Sequence, residues 1–269
     1  DWGGDVVEFD LQMTSDGVIV VEHDTGNIPN MTFAELLAAE PHTMTFAEGL
    51  DLVNAKSAET GRDLKISAEI KNPNRYPENG VTEARGMIAL LQEKGLLSAE
   101  RVSISSFDDG ILKTIVDTLL PEAGGTAAID YLARSFSAAA MEEISGWADS
   151  VSVNLGSLTQ SQIDAAHANG LKIYAWTQNG PGEDLQSYIE MGLDGIYDDN
   201  TRVARQAIER VTADRAVVYG NADGSVISGY DGADLVYGMQ GDDVVLGGNG
   251  DDVIYGDAGN DILAGQGGH

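Results

Sequence analysis

One acidic pair, one pair of an acid with a lysine, and one histidine carry the chemistry that is legible first. In Val6-Val7-Glu8-Phe9-Asp10 the acids stand two residues apart, so on a strand both side chains leave the same face. Ile66-Ser67-Ala68-Glu69-Ile70-Lys71 repeats that spacing with Glu69 and Lys71. Three inward carboxylates would repel one another and be costly to bury unless a cation sat among them. An all-oxygen set suits a hard divalent ion, Mg²⁺ or Ca²⁺, and Lys71 adds a fixed positive charge able to meet a phosphate. His23, in Val20-Val21-Glu22-His23-Asp24, closes another apolar run and is a candidate proton donor near neutral pH. An isolated Glu-x-Asp is more often a solvated strand face, and a lone histidine is more often structural. The weight lies in the set.

Such groups need a scaffold that gathers strand ends. Apolar strand-like runs fall at Asp5–Gln12, Leu64–Lys71, Arg101–Phe107, Gly125–Tyr131, Asp149–Asn154, Lys172–Thr177 and Gly195–Asp198. Helical patterns separate most of them: Val81–Lys94, Asp109–Leu120, Ala138–Ile144, Gln160–Asn169 and Leu185–Met191. This α/β alternation implies a parallel sheet with right-handed crossovers. Seven strands are one short of a (β/α)₈ TIM-type barrel, so a barrel lacking its first strand is expected over residues 1–212, with Thr201–Arg215 as its closing helix. The polar candidates sit at the carboxyl ends of the strands, where barrel sites form. Trp176, also at such an end, reads alone as core and with the set as a substrate contact. His42 precedes a helix and His167 lies within one; neither is a good catalytic candidate.

The composition changes after the barrel. Residues 220–269 hold 14 of the 33 glycines and nine aspartates, with no Lys, Arg or Glu. Four nine-residue units follow in phase from Gly229, Gly238, Gly247 and Gly256, each with Gly at positions one and four, Asp at six and an aliphatic residue at eight. A degenerate unit opens at Gly220 and an incomplete one at Gly265. Glycine permits the tight turn of each unit, and Val236, Val245, Ile254 and Leu263 would point into a narrow core. Turns 18 residues apart would stack, so Asp234 with Asp252, and Asp243 with Asp261, could share Ca²⁺ with turn carbonyls. Without the ion the stacked acids repel, which couples folding to calcium.

The whole chain has 15 basic and 44 acidic residues, a net charge of −29. That field repels nucleic acid and anionic membrane surfaces. No cysteine is present, so calcium would take the place of a disulfide staple outside the cell. No apolar run is long enough to span a bilayer. The absence of an initial Met and the unfinished last unit suggest a sequence cut at both ends, the barrel at its N-terminus and the repeats at their C-terminus.

The repeat G-G-x-G-x-D-x-U-x resembles the hemolysin-type (RTX) family, which implies a parallel β-roll over residues 220–269, calcium binding, and bacterial export through type I secretion machinery to the extracellular space. The stretch Gly4-Asp5-Val6-Val7-Glu8-Phe9-Asp10-Leu11-Gln12-Met13-Thr14-Ser15-Asp16-Gly17-Val18-Ile19-Val20-Val21-Glu22-His23-Asp24 resembles the signature of the glycerophosphodiester phosphodiesterase family. Ala68-Glu69-Ile70-Lys71-Asn72-Pro73, Ser106-Phe107-Asp108, Ala175-Trp176-Thr177 and Gly192-Leu193-Asp194-Gly195-Ile196-Tyr197-Asp198 are similar to its later blocks. By that resemblance Glu8, Asp10 and Glu69 would bind the metal, Lys71 the phosphate, and His23 would be one of two catalytic histidines. The products would be glycerol 3-phosphate and an alcohol. The family's opening His-Arg-Gly strand and Pro-Glu-Asn-Thr-like stretch are not matched here, and Pro77-Glu78-Asn79 lies far out of place. Two other readings stand beside this one. They are a phospholipase D-like or sphingomyelinase D-like lipid enzyme, and a non-catalytic calcium-binding extracellular protein.

Overall fold

Phe9 stands between Glu8 and Asp10, and its packing decides which way those two acids face. Its ring meets Phe46 edge-on, with centroids 5.6 Å apart, and lies over Gly49, where an added Cβ would come within 2.8 Å of the ring. With Phe9 turned outward onto that helix, its two neighbours must turn inward. In the computed structural model this is the first strand of a curled sheet. The structure describes residues 6–23, 27–71, 77–134, 136–176, 188–189, 191–197, 217–220 and 224–268.

Two compact units divide the chain, Asp5–Gln178 and a second formed by Asp1–Gly4 with Asn179–His269. The main sheet contains β1 (Val6–Met13), β2 (Ile19–Val21), β3 (Met44–Thr45), β4 (Lys65–Ile70), β5 (Val102–Ser106), β6 (Ala128–Ala133), β7 (Ser150–Asn154), β8 (Lys172–Trp176) and β9 (Gly195–Tyr197). Its order is β3-β2-β1-β4-β5-β6-β7-β8-β9. Pairing is parallel from β1 through β4 to β8 and antiparallel in β1–β2 and β2–β3. The seven expected strands all appear, together with the antiparallel pair. Ile66, Ile70, Ile104, Val151, Ile173 and Ala175 are fully buried or nearly so beneath the helices.

Two helices were not among those expected: α1 (Phe33–Ala39) and α2 (Phe46–Thr60). Each starts at a Thr-Phe-Ala-Glu capping box, Thr32 with Glu35 and Thr45 with Glu48, so the start signal was present in the sequence. The helix α3 (Pro77–Glu93) follows β4, and α4 (Asp109–Thr114) follows β5 with Asp108 capping it. A π-helical stretch, Ile115–Leu119, leads into α5 (Leu120–Ala123). Pro121 has no N–H to give the Asp117 carbonyl, and the register slips just before it. A short α6 (Met141–Ile144) and α7 (Gln160–Ala168) complete the described helices. The closing helix expected over Thr201–Arg215 and most of Leu185–Met191 lie outside the described residues.

In the second unit, β10 (Val217–Tyr219), β12 (Leu235–Tyr237) and β14 (Val253–Tyr255) form one parallel sheet. A second holds β11 (Val226–Asp231), β13 (Val244–Asn249) and β15 (Ile262–Gly267). Every strand pairs with the one 18 residues on, as in Val236↔Ile254 and Val245↔Leu263. Val218, Ile227, Val236 and Val245 fill the space between the sheets, with Ile254 packed against them. Leu263, expected inside, is 48% exposed because β15 is the last strand of its sheet. Tyr237 and Tyr255 stack outside, with ring centroids 5.0 Å apart and planes nearly parallel. Strands of β11, β13 and β15 run six residues rather than the expected three.

Glu83 breaks the apolar pattern of α3. It is buried in line with Ala84, Met87, Ile88 and Leu91, and its Oε1 has no hydrogen-bond partner. Burial pushes its carboxyl up from 4.5 to about 8. The folded chain therefore holds a proton that the unfolded chain has lost between those two values, so stability falls as pH rises through that window and levels off above it. Urea unfolding in calcium should show a loss of roughly 5 kcal/mol across the window from this group. In Glu83→Gln that portion of the pH dependence should vanish.

Candidate active site

The register of the sheet assembles the acids. Asp10 stands opposite Glu69, and Glu8 opposite Ser67, so the three acids leave one face at neighbouring positions. One carboxylate oxygen from each of Glu8, Asp10 and Glu69 lies within 4.8 Å of the others. Glu69 is buried, Asp10 partly so, and Glu8 is exposed at the mouth; the three are thus graded in depth rather than equally inward. Lys71 sits among them. Its Nζ donates to Glu69 Oε2 at 3.1 Å and forms a 2.8 Å ion pair with Asp10 Oδ1 that lacks hydrogen-bond alignment.

Burial, against the pull of Lys71 and with the push of Asp10, raises Glu69 to about 7. Burial also works against the charge of Lys71, but Asp10 and Glu69 outweigh it and its pKa is raised. The three clustered carboxylates, the all-oxygen donor set and the short oxygen spacing fit a divalent cation. Lys71, expected to add a positive charge for a phosphate, is paired with two of the acids.

A hairpin leads from β1 to His23. Thr14 Oγ1 donates to Asp16 Oδ1 and accepts from the Val18 N–H, and Gly17 takes φ +84° in the turn. Asp16 is held below the ordinary aspartate range by that Thr14 bond and by the Phe33 N–H. On the returning strand the Glu22 N–H donates to the Asp10 carbonyl, and Gln12 Nε2 donates to the Glu22 carbonyl. His23 follows directly and is exposed. His42 is exposed between α1 and β3, and His167 is exposed in the last turn of α7.

The same transverse row continues through Glu69↔Ser105, Ser105↔Asp130 and Asp130↔Ser150. Asp130 is fully buried and accepts from Ser150 Oγ at 2.8 Å and Ser152 Oγ at 2.6 Å. Farther around the carboxyl-end rim, Trp176 meets Phe107 edge-on at 6.1 Å, and the Arg134 guanidinium lies 4.9 Å above the Phe107 ring. Neither Asp130 nor Arg134 was singled out from the sequence. Nothing in their spacing marks them, because β6 and its neighbours meet only through the sheet.

In the roll, each position-six aspartate binds the unit stacked on it. Asp252 Oδ1 accepts from the Asp234 N–H and Asp261 Oδ1 from the Asp243 N–H, both at 3.0 Å. The Oδ2 atoms of Asp243 and Asp252 are buried with no hydrogen-bond partner. Each faces the position-one glycine of its own unit: a Cβ at Gly238 would lie 2.7 Å from Asp243 Oδ2. Buried carboxylate oxygens without donors, walled by glycine and turn carbonyls, are a donor set for calcium.

The model of the glycerophosphoryl diester phosphodiesterase family matches residues 1–203. The chain belongs to that family. The RTX calcium-binding nonapeptide repeat matches residues 212–245 and 237–269, so the family's barrel is followed here by calcium-binding repeats. A glycerophosphodiester phosphodiesterase of Bacillus subtilis (strain 168) is 26% identical over 227 residues, 72% of this chain and 73% of that one. The crystal structure of a glycerophosphodiester phosphodiesterase from Parabacteroides distasonis aligns with a TM-score of 0.61 at 22% identity, over 76% of this chain and 84% of that one. A phosphodiesterase of Oleispira antarctica, solved with the product sn-glycerol-3-phosphate, aligns with a TM-score of 0.62 at 18% identity, over 77% and 86%. These structures share the fold.

Because Glu69 rests near neutrality, divalent-ion uptake by the barrel should release a proton below about pH 7 and little by pH 8. Calorimetric titration of Mn²⁺ into calcium-saturated protein, in buffers of different ionisation enthalpy, reads that release directly; Glu69→Gln should abolish it. For the roll, Asp243→Asn keeps an acceptor for Ser225 while removing the charge. It should raise the calcium concentration needed for roll folding by about tenfold in a circular-dichroism titration.

Proposed function

We infer that this protein hydrolyses glycerophosphodiesters to glycerol 3-phosphate and an alcohol in a metal-dependent reaction, and that it is exported and stabilised by calcium. The observation that carries the reading is the cluster of Glu8, Asp10 and Glu69 on the neighbouring strands β1 and β4, with Lys71 paired to Asp10 and Glu69. In this reading those three acids hold a divalent ion, Mg²⁺ or Ca²⁺, which supplies positive charge where the phosphoryl oxygens gain negative charge. Lys71, kept protonated by its acidic neighbours, adds a second cationic contact for the phosphate. His23, on the segment that follows the Glu22–Asp10 backbone bond, donates its proton to the alcohol oxygen as a glycerol hydroxyl or water attacks phosphorus in line, a new phosphorus–oxygen bond forms and the one to that alcohol breaks. Trp176 borders the substrate at the rim.

The division of labour follows the composition. Residues 1–212 form the hydrolytic barrel and residues 220–269 the calcium roll, a boundary supported by the family match ending at residue 203 and the repeat match starting at residue 212. Export through type I secretion machinery is supported by the repeats. Among the described residues no helix is long and apolar enough to cross a membrane. The roll's buried acids would resist folding until calcium is plentiful.

The test is glycerol 3-phosphate release from glycerophosphocholine and glycerophosphoglycerol, in calcium alone and with added Mg²⁺ or Mn²⁺. Glu69→Gln and His23→Ala should each lower kcat at least about a hundredfold while the roll stays folded. Release that persists in both variants would refute the assigned roles.

A further inference from the structure

Arg134 is unusual in its setting. The chain carries 44 acidic residues against 15 basic ones, and most described cations have taken a carboxylate partner: Lys56, Lys71, Arg85, Lys94, Arg101 and Lys113 all form ion pairs. Lys65 and Lys172 begin β4 and β8, at the end of the sheet opposite the site. Arg134, one residue beyond the carboxyl end of β6, is exposed and makes no ion pair among the described residues. It lies instead over Phe107, with Cζ 4.9 Å from the ring centroid. A guanidinium spread on an aromatic face keeps its N–H edges turned outward and available to an anion.

Its position is fixed by the same rim that carries the acids. Phe107 follows β5, and Ser106 Oγ donates to the Ile70 carbonyl at 2.9 Å, tying that corner to the end of β4 beside Lys71. Phe107 is 36% exposed and abuts Trp176 at the end of β8. The rim thus has an acidic half on β1 and β4 and a half made of two aromatics and an arginine on β5, β6 and β8. If the acidic half and Lys71 take the phosphodiester, the alcohol group extends over the other half. We propose that Arg134 is a specificity-determining residue that favours alcohol groups carrying negative charge, such as a phosphorylated polyol, and disfavours cationic ones such as choline. This rests on the phosphodiesterase reading above. The arginine supplies both the attraction for one class and the repulsion for the other.

The experiment compares kcat and KM for glycerophosphocholine, glycerophosphoglycerol and glycerophosphoinositol 4-phosphate in the wild type, Arg134→Gln and Arg134→Lys. The wild type should prefer the phosphorylated substrate. Arg134→Gln should raise its KM about tenfold, leave glycerophosphoglycerol unchanged and improve glycerophosphocholine, while Arg134→Lys restores part of the preference. The preference should also shrink with added salt, which a purely structural role would not produce. An equal loss on all three substrates would overturn the proposal, by placing Arg134 on the shared phosphodiester or in the fold. Unchanged kinetics would overturn it too. Absence of cleavage of every substrate by the wild type would fell the phosphodiesterase reading, and this proposal with it.

Discussion

Glu8, Asp10 and Glu69 hold their carboxylate oxygens within 4.8 Å of one another, and Lys71 pairs with two of them. Left to themselves, such groups would separate or take up protons, and Glu69 goes part of the way by shifting towards neutrality. That they stay together is the work of the sheet. The parallel register between β1 and β4 sets Asp10 against Glu69, and the backbones of the two cannot part without breaking the ladder. The roll holds its acids by the same device, backbone stacking at an interval of 18 residues.

The supports of the site reach outward in two directions. Through Phe9, the orientation of Glu8 and Asp10 depends on how closely α2 can approach at Gly49. The Thr14–Gly17 turn and the Glu22–Asp10 backbone bond tie the returning strand that precedes His23 to β1, by a hairpin rather than by a barrel crossover.

Much of this was written in local patterns. Glu8 with Asp10, and Glu69 with Lys71, needed only a period of two, and the seven strand positions followed from apolar runs bounded by polar residues. The roll was legible because its repeat keeps phase. What the chain did not reveal was whatever depends on who meets whom: Lys71 spent on Asp10 and Glu69, Asp130 beneath Ser150 and Ser152, and Arg134 on Phe107. The helices α1 and α2 were a different kind of omission. Their Thr-Phe-Ala-Glu starts were visible, but they flank the short strand β3 between β2 and β4, where an alternating barrel pattern leads the eye past them. Glu83 was also visible, in step with Met87 and Leu91, as a charge within an apolar stripe.

The 18-residue interval of the roll has a further bearing on how such a tail changes in length. Successive units alternate between the two sheets, so the face reached by the chain after any unit depends on whether the count is odd or even. Insertion or loss of one unit would send everything downstream to the opposite side, carrying the Tyr237–Tyr255 stack of one sheet out of line with its continuation. Two units added together preserve the alignment of both sheets. A lineage lengthening this tail can thus keep its outer surface intact by duplicating in steps of 18 residues, whereas a single duplication amounts to a half-turn of the molecule's end.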